Sequence, residues 1–275
     1  NLTGYRNIAI FGVDSRSDDY GVGNRSDCII IASINNDTGA IKLISVYRDT
    51  YVNIEGHGLD KITHAYSFGE APLAIKTLNT NLDLNINEFV TVNFDSVAEA
   101  VDQLGGVQLT ITSDEIKYIN GYIDETSRVT GKTSSHITQP GTYTVDGVQA
   151  VSYSRIRYTD GGDYKRTERM RTVIEAMFSK LKTKSITEIN SFADKILPHV
   201  YTNISATDIL AMVPSMSKYK VTESIGWPYD TKGKTIDRWY GIPVTLESNV
   251  TQLHKEAFGE EDYTPSDTVK SISAN

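Results

Sequence analysis

Three short apolar runs crowd the N-terminal part of this chain and restrict its fold more than anything that follows. Asn7-Ile8-Ala9-Ile10-Phe11-Gly12-Val13-Asp14 is the first, Cys28 to Ile34 the second and Ala40 to Val46 the third. Each has strand length and β-branched or aromatic content. Asn36-Asp37-Thr38-Gly39 is a turn sequence between the second and third runs, which predicts an antiparallel hairpin there. The first run ends on an acidic residue, Asp14.

Helical periodicity then alternates with further strands. A helix is expected from His64 to Asn81, interrupted near Gly69 and Pro72, followed by a strand from Glu88 to Phe94. Asp95 is the expected N-cap of the next helix and Gly105 its stop. Val107 to Thr112 reads as a strand, Ser113 as the cap of a helix through Ile119, and Ser127 to Pro140 as a polar surface loop. Asp163 to Lys182 is the strongest amphipathic segment, with Val173, Ile174, Met177, Phe178 and Leu181 on one stripe. Helices are expected near Ser185–Leu197, Ala206–Lys218 and Leu246–Phe258, with extended chain at Val221–Trp227 and Trp239–Val244. This mixture predicts an α/β fold, a single α/β/α sandwich over residues 1–259, with a polar, frayed tail over 260–275.

Composition narrows the partners. The chain has 275 residues, 39% of them hydrophobic, enough for one sizeable core. Its formal net charge of -8 disfavours nucleic acid as a partner. The lone cysteine, Cys28, lies in a strand run and founds neither a disulfide framework nor a thiolate cluster. No stretch reaches the length of a membrane span, and no signal peptide is visible. The chain opens without Met a few residues before its first strand, so the lack of an anchor in it is no sign of a cytosolic protein.

Against the acidic background, Arg and Asp cluster at three predicted strand ends or helix starts. The clusters are Asp14-Ser15-Arg16 with Arg25-Ser26-Asp27, then Arg48-Asp49-Thr50, then Arg155-Ile156-Arg157 with Arg166, Arg169 and Arg171. Guanidinium forks bind phosphate oxygens in bidentate fashion and keep their charge. Asp14 and Asp27 could converge if the first two strands are neighbours. Two carboxylates with pyrophosphate oxygens and water make a suitable shell for Mg²⁺. Acids, many arginines and no Ser or Cys nucleophile motif suit phosphoryl transfer, where positioning and charge neutralisation dominate. Plainer readings stand beside this one: strand-end caps or salt bridges for the aspartates, an Arg48–Asp49 surface pair, and a solvated helix face for 155–171. The five histidines show no metal-ligand spacing, and Gly21-Val22-Gly23 and Gly105-Gly106 do not match a phosphate loop.

Taken in order, these segments resemble the LytR-CpsA-Psr family. The matching stretches are Gly12-Val13-Asp14-Ser15-Arg16, Arg25-Ser26-Asp27, Ser45-Val46-Tyr47-Arg48-Asp49-Thr50 and Lys61-Ile62-Thr63-His64-Ala65-Tyr66. Asp102 with Gly105-Gly106-Val107 follows, then Gly147, Tyr153-Ser154-Arg155-Ile156-Arg157, Asp163, Arg166 and Arg169. The resemblance implies an α/β/α sandwich with an apolar pocket for a polyprenyl chain. It also implies a phosphotransferase that faces outward from the membrane on an N-terminal anchor. Its expected reaction moves a glycan-1-phosphate from a polyprenyl-pyrophosphate carrier to a peptidoglycan hydroxyl, with lipid-pyrophosphate hydrolysis or turnover-free lipid-glycan binding as alternatives.

By the same resemblance, Asp14 and Asp27 hold Mg²⁺, and Arg25, Arg48, Arg155, Arg157 and Arg166 face the pyrophosphate. Arg16 and Arg169 also occupy motif positions, and Arg48, Arg166 and Asp14 are the expected catalytic residues. Leu73, Ile75, Leu78, Ile174 and Phe178 are the expected walls of the lipid pocket. Two positions depart from the family pattern. Tyr47 stands where Pro is usual, which is expected to free the strand end before Arg48, and Met170 stands where Gln is common.

Overall fold

A computed structural model of the chain describes residues 2–15, 19–159 and 161–275. In chain order the first elements are β1 (Tyr5–Val13), β2 (Ser26–Asn35), β3 (Ala40–Val46), β4 (Tyr51–Ile54), β5 (Gly58–Lys61), α1 (Thr63–Leu82) and β6 (Glu88–Val92). Next come α2 (Phe94–Gln103), β7 (Val107–Ile111), α3 (Ser113–Thr130), β8 (Gly141–Val145), α4 (Gly147–Arg155) and α5 (Gly162–Leu181). They are followed by α6 (Ile186–Ile196), β9 (Tyr201–Thr202) and α7 (Ala206–Met212). The chain ends with β10 (Lys220–Trp227), β11 (Thr231–Thr235), β12 (Trp239–Pro243), α8 (Leu246–Phe258) and α9 (Asp267–Ser273). The chain falls into two compact units. Unit 1 comprises Asn1–Asp14, Tyr20–Thr91 and Lys218–Asn275, and unit 2 comprises Ser15–Asp19 and Val92–Ser217.

Unit 1 is built on a mixed sheet in the order β10-β3-β2-β1-β6, which bears out the expected α/β class. β1–β2 and β2–β3 are antiparallel and β10 runs parallel to β3. The hairpin expected around Asn36–Gly39 is present, and Asn35 Oδ1 accepts the amide N–H of both Asp37 and Thr38 across the turn. Cys28 to Ile31 are buried consecutively, so this stretch of β2 is covered on both faces. Phe11, Ile29, Ile31, Ile44, Tyr66, Leu78, Trp227, Val250 and Leu253 are core residues of this unit. The Trp227 indole N–H still finds a partner, the Asn249 carbonyl at 3.1 Å.

α1 has the expected break. Gly69 (φ -151°) and Glu70 (φ 58°, ψ -157°) leave helical geometry, and Pro72 lies inside the helix. Pro72 has no amide N–H to give, so the ladder is already interrupted where the chain bends. A side chain at Gly69 would meet Leu73 Cβ at 2.6 Å, which explains the glycine.

The frayed tail is not observed. Val269 of α9 is fully buried, and the Asp83 carboxylate accepts hydrogen bonds from Ser266 Oγ at 2.6 Å, from its N–H at 2.8 Å and from the Tyr263 hydroxyl. One apolar residue per turn suffices to dock a helix that short, a signal below what periodicity can detect in so polar a stretch.

Unit 2 gathers α2, α3, α4, α5, β7 and β8 around Val101, Leu104, Leu109, Ile119, Ile123, Val148 and Val173. The N-caps sit earlier than expected, at Asn93 rather than Asp95 and at Thr112 rather than Ser113. Both form capping boxes, Asn93 with Ser96 and Thr112 with Glu115, which satisfy two end donors at once. α3 also runs on to Thr130, into the predicted loop, because Ile119, Ile123 and Thr126 keep one face buried. Gly147 is required by contact, since a Cβ there would lie 2.1 Å from the Ala98 carbonyl oxygen. Its N–H donates to Asp102 at 2.8 Å, so two motif residues without an obvious chemical role turn out to lock α2 to α4.

Candidate functional site

The site residues of unit 1 gather at the end of the β1–β2–β3 ladder. Gly12 pairs with Cys28 and Val13 with Ser26, so Asp27 is an extra residue on β2. Such a bulge bends the strand and re-aims one side chain. Here Asp27 meets Arg48, with Oδ1 at 2.6 Å from Nη1. Asp49 Oδ1 lies 3.7 Å from Arg48 Nε and 3.1 Å from Lys61 Nζ, and Lys61 rests over the Tyr240 ring. All four side chains of this alternating row are only 15–17% exposed. Asp14, directly after β1, and Arg25, just before β2, are exposed.

The backbone of Arg48 is fixed from both sides. Tyr47 N–H donates to the Trp227 carbonyl at 3.0 Å, the Arg48 carbonyl accepts Thr63 N–H at 3.1 Å, and Thr50 Oγ1 donates to the Tyr47 carbonyl at 2.6 Å. The expectation that losing Pro frees this strand end is therefore corrected. Tyr47 supplies an N–H that Pro lacks and uses it to tie β3 to β10. Both the Arg48–Asp49 pairing and an Asp27 salt bridge, the plainer sequence readings, are present as well.

In unit 2, Arg155 closes α4. Its Nη2 donates to Glu125 at 3.0 Å, its Nη1 to Thr126 Oγ1 at 3.1 Å, and its guanidinium lies 4.8 Å from the Phe94 ring centre. Arg157 is exposed, and Arg166, on α5, is nine-tenths buried. Arg169 is 2% exposed and engaged on every nitrogen. Nε donates to Glu115 Oε2 at 2.7 Å, Nη1 to the Ile156 carbonyl at 3.0 Å and Nη2 to Thr159 Oγ1 at 2.6 Å. It thereby holds both ends of the short segment that carries Arg157. Glu115 is itself set by the α3 cap, since its Oε1 accepts Thr112 N–H at 3.0 Å. Sequence reading did not single out Glu115 or Lys61 for these tasks. The box Thr112-x-x-Glu115 was the available signal for Glu115.

Arg16 and the Asp163 side chain lie outside the described residues. Of the expected lipid-pocket walls, Leu78 is fully buried in the core of unit 1, with Leu73 and Ile75 packed at its margin. Ile174 and Phe178 are half-buried on α5 of unit 2. Among the described residues no group of three or more His, Cys, Asp or Glu is placed to hold a metal, so a cation here would rest on a pair of carboxylates. Among the same residues no helix is long and apolar enough to cross a membrane.

Fold and site together define an α/β protein with an Arg- and Asp-rich strand edge. The chain belongs to the LytR_cpsA_psr family, whose sequence profile matches residues 1–255. It is 32% identical over 233 residues to the polyisoprenyl-teichoic acid–peptidoglycan teichoic acid transferase TagT of Bacillus subtilis, covering 82% of this chain and 69% of that protein. It is 34% identical over 209 residues to the corresponding transferase TagU of Enterococcus faecalis, covering 74% of this chain and 62% of that one. Among solved structures, TagT bound to LIIa-WTA superposes with a TM-score of 0.76 at 27% identity over 94% of this chain and 91% of that one. TagT with bound octaprenyl pyrophosphate lipid does so with a TM-score of 0.67 at 26% identity, over the same shares of the two chains.

Proposed function

We propose that this chain transfers a teichoic-acid-type glycopolymer from a polyprenyl-pyrophosphate carrier to a hydroxyl of peptidoglycan. The observation that carries the reading is the Asp27–Arg48 pair at the strand edge, in a chain related to named transferases of that kind. In this reaction an acceptor hydroxyl oxygen bonds to the glycan-side phosphorus. The bridging P–O bond breaks, polyprenyl phosphate leaves, and the hydroxyl proton is released.

Arg48 and Arg25 meet the anionic pyrophosphate, with the Arg48 main chain held by its hydrogen bonds and its fork set by Asp27 before the ligand arrives. Arg155, Arg157 and Arg166 are assigned to the same substrate by the family motif. Arg169 acts through the segment it holds. Asp14 and Asp27 are hard oxygen donors at neighbouring strand ends, a donor chemistry that fits Mg²⁺, and they would hold the ion. When bound, the ion would neutralise charge on the phosphate oxygens. The polyprenyl chain needs apolar cover, because each Å² left in water costs about 25 cal/mol. Leu73 and Ile75, packed at the margin of the unit 1 core, are candidates to supply it. An outward-facing location at the membrane surface suits both substrates.

The test incubates the protein with a polyprenyl-pyrophosphate disaccharide, with and without peptidoglycan oligomers and Mg²⁺, and separates the products. Glycan-phosphate joined to peptidoglycan supports transfer. Polyprenyl phosphate released equally without acceptor would make the protein a hydrolase, and an intact donor in all mixtures would defeat both.

A further inference from the structure

Unit 2 contains a concavity that the proposed chemistry does not use. It measures about 810 Å³ and lies where α5 packs against β7, beside the start of α3. That volume falls within the usual span of small-ligand sites, about 300–1,000 Å³. Two periodicities build its walls. Gln108 and Thr110 are the outward-facing alternate residues of β7. Lys165, Arg169, Thr172, Ala176 and Ser179 follow one stripe of α5 at helical spacing. Short hydroxyl and amide side chains on facing walls leave an open cleft where longer ones would close it.

Its charge selects the ligand. The buried Glu115 and Arg169 neutralise each other at 2.7 Å. Asp114 pairs with Lys117 at 3.3 Å and Lys165 with Glu168 at 3.0 Å, so with Glu175 the lining carries a formal acidic excess of about one charge, which disfavours phosphate. Gln108, Thr110, Thr172 and Ser179 add donors and acceptors that suit a ligand rich in hydroxyl and amide groups. Tyr153 and Ala176 supply apolar wall for the C–H face of a ring. Burial, with the nearby Glu115 charge, pushes the Tyr153 hydroxyl up to about 12, so it stays protonated.

We propose that this cleft between α5 and β7 binds the neutral N-acetylated amino-sugar units of the acceptor glycan strand. The inference rests on the transfer reading for the identity of its ligand, but its binding can be measured without turnover. The probe is a β-1,4-linked N-acetylglucosamine tetramer, titrated into the whole chain by calorimetry, with inorganic pyrophosphate titrated separately. Saturable binding of the tetramer is expected, weakened at least fivefold in Gln108→Ala and in Asp114→Ala, while pyrophosphate affinity stays the same in both. These residues are exposed and lie outside the arginine clusters, so the variants should fold. Absence of tetramer binding by the wild type, binding indifferent to both substitutions, or loss of pyrophosphate binding in them would overturn the proposal. A protein that binds the tetramer through these residues but fails to process the lipid-linked donor keeps the saccharide site and loses the transfer reading.

Discussion

Nη1 of Arg48 lies 2.6 Å from Oδ1 of Asp27, and the two meet because Asp27 is the extra residue in the β2 bulge. Without ligand, each neutralises the other in a site only 17% exposed. A pyrophosphate offers Arg48 a more highly charged partner, and a charge-assisted hydrogen bond of this kind contributes about 1.5–3 kcal/mol. Arg48→Ala should therefore weaken binding of a short polyprenyl pyrophosphate at least tenfold, by about 1.4 kcal/mol or more. Arg48→Lys should recover only part of it, since an ammonium lacks the planar fork. Calorimetric titration of the three proteins is the measurement, and equal affinities would remove Arg48 from the site.

Asp14 and Asp27 stand at neighbouring strand ends and are proposed to share one cation. Asp14→Ala and Asp27→Ala should each abolish Mg²⁺-dependent turnover with the circular dichroism of the fold kept, Asp27→Ala melting lower because it leaves Arg48 without its ion-pair partner. Asp14 is exposed and its loss should leave the fold alone. Full activity in excess chelator would exclude the ion from the reaction.

Arg169 and Glu115 form a nearly dry ion pair, 2% and 6% exposed. Removing one partner strands the other charge in the interior, at a cost of about 3–5 kcal/mol. Arg169→Ala should lower the unfolding free energy by that much in urea. The double variant Arg169→Ala/Glu115→Ala should lose less than the sum of the single changes, because the stranded charge is gone. Strict additivity would mean the pair is not coupled.

Glu70 has φ 58° and ψ -157°, a backbone region that is essentially confined to glycine, where a side chain costs about 1–3 kcal/mol. Glu70→Gly should therefore raise stability by about 1 kcal/mol despite the added freedom of the unfolded chain. Gly69→Ala should do the reverse, since its Cβ would lie 2.6 Å from Leu73 Cβ. Chemical denaturation of the two variants should move the midpoint in opposite directions.

In unit 2, Lys132 Nζ donates to Glu99 at 2.7 Å and to Asp102 at 3.0 Å. The Lys132 hydrogen bond, then that of Gln103, holds the Glu99 carboxyl below its ordinary 4.5. A lowered carboxyl contributes stability that is present above the ordinary value and lost as pH falls through the folded one. The stability gap between wild type and Lys132→Ala should then be widest near neutrality and narrow below about pH 4.5. A gap that stays constant from pH 7 to pH 3 would rule out the linkage.

Periodicity and turn chemistry were enough to read much of the fold. The β2–β3 hairpin followed from Asn36–Gly39 and the α1 break from Gly69 and Pro72, both of them signals that lie within a few residues. Where two local signals competed, the reading slipped. Asp95 and Ser113 are good caps by type, but Asn93 and Thr112 have the matching residue three positions on and take the role. The polar 260–275 stretch gave no sign that Val269 is buried, because the partner surface lies far away in the chain.

The sequence by itself determined which residue types this protein brings to its chemistry: arginines and aspartates at strand ends, in an order that marks the family. Only the tertiary structure decided how each is used. Asp27 reaches Arg48 through a one-residue bulge, and Tyr47 secures that arginine through an N–H to Trp227. Arg169, one turn from Arg166 on the same helix, is closed inside unit 2 by Glu115 and two distant oxygen acceptors. Residue type and spacing set what a side chain can bond. Which partner it meets depends on backbone paths tens of residues apart, and those are settled when the core packs.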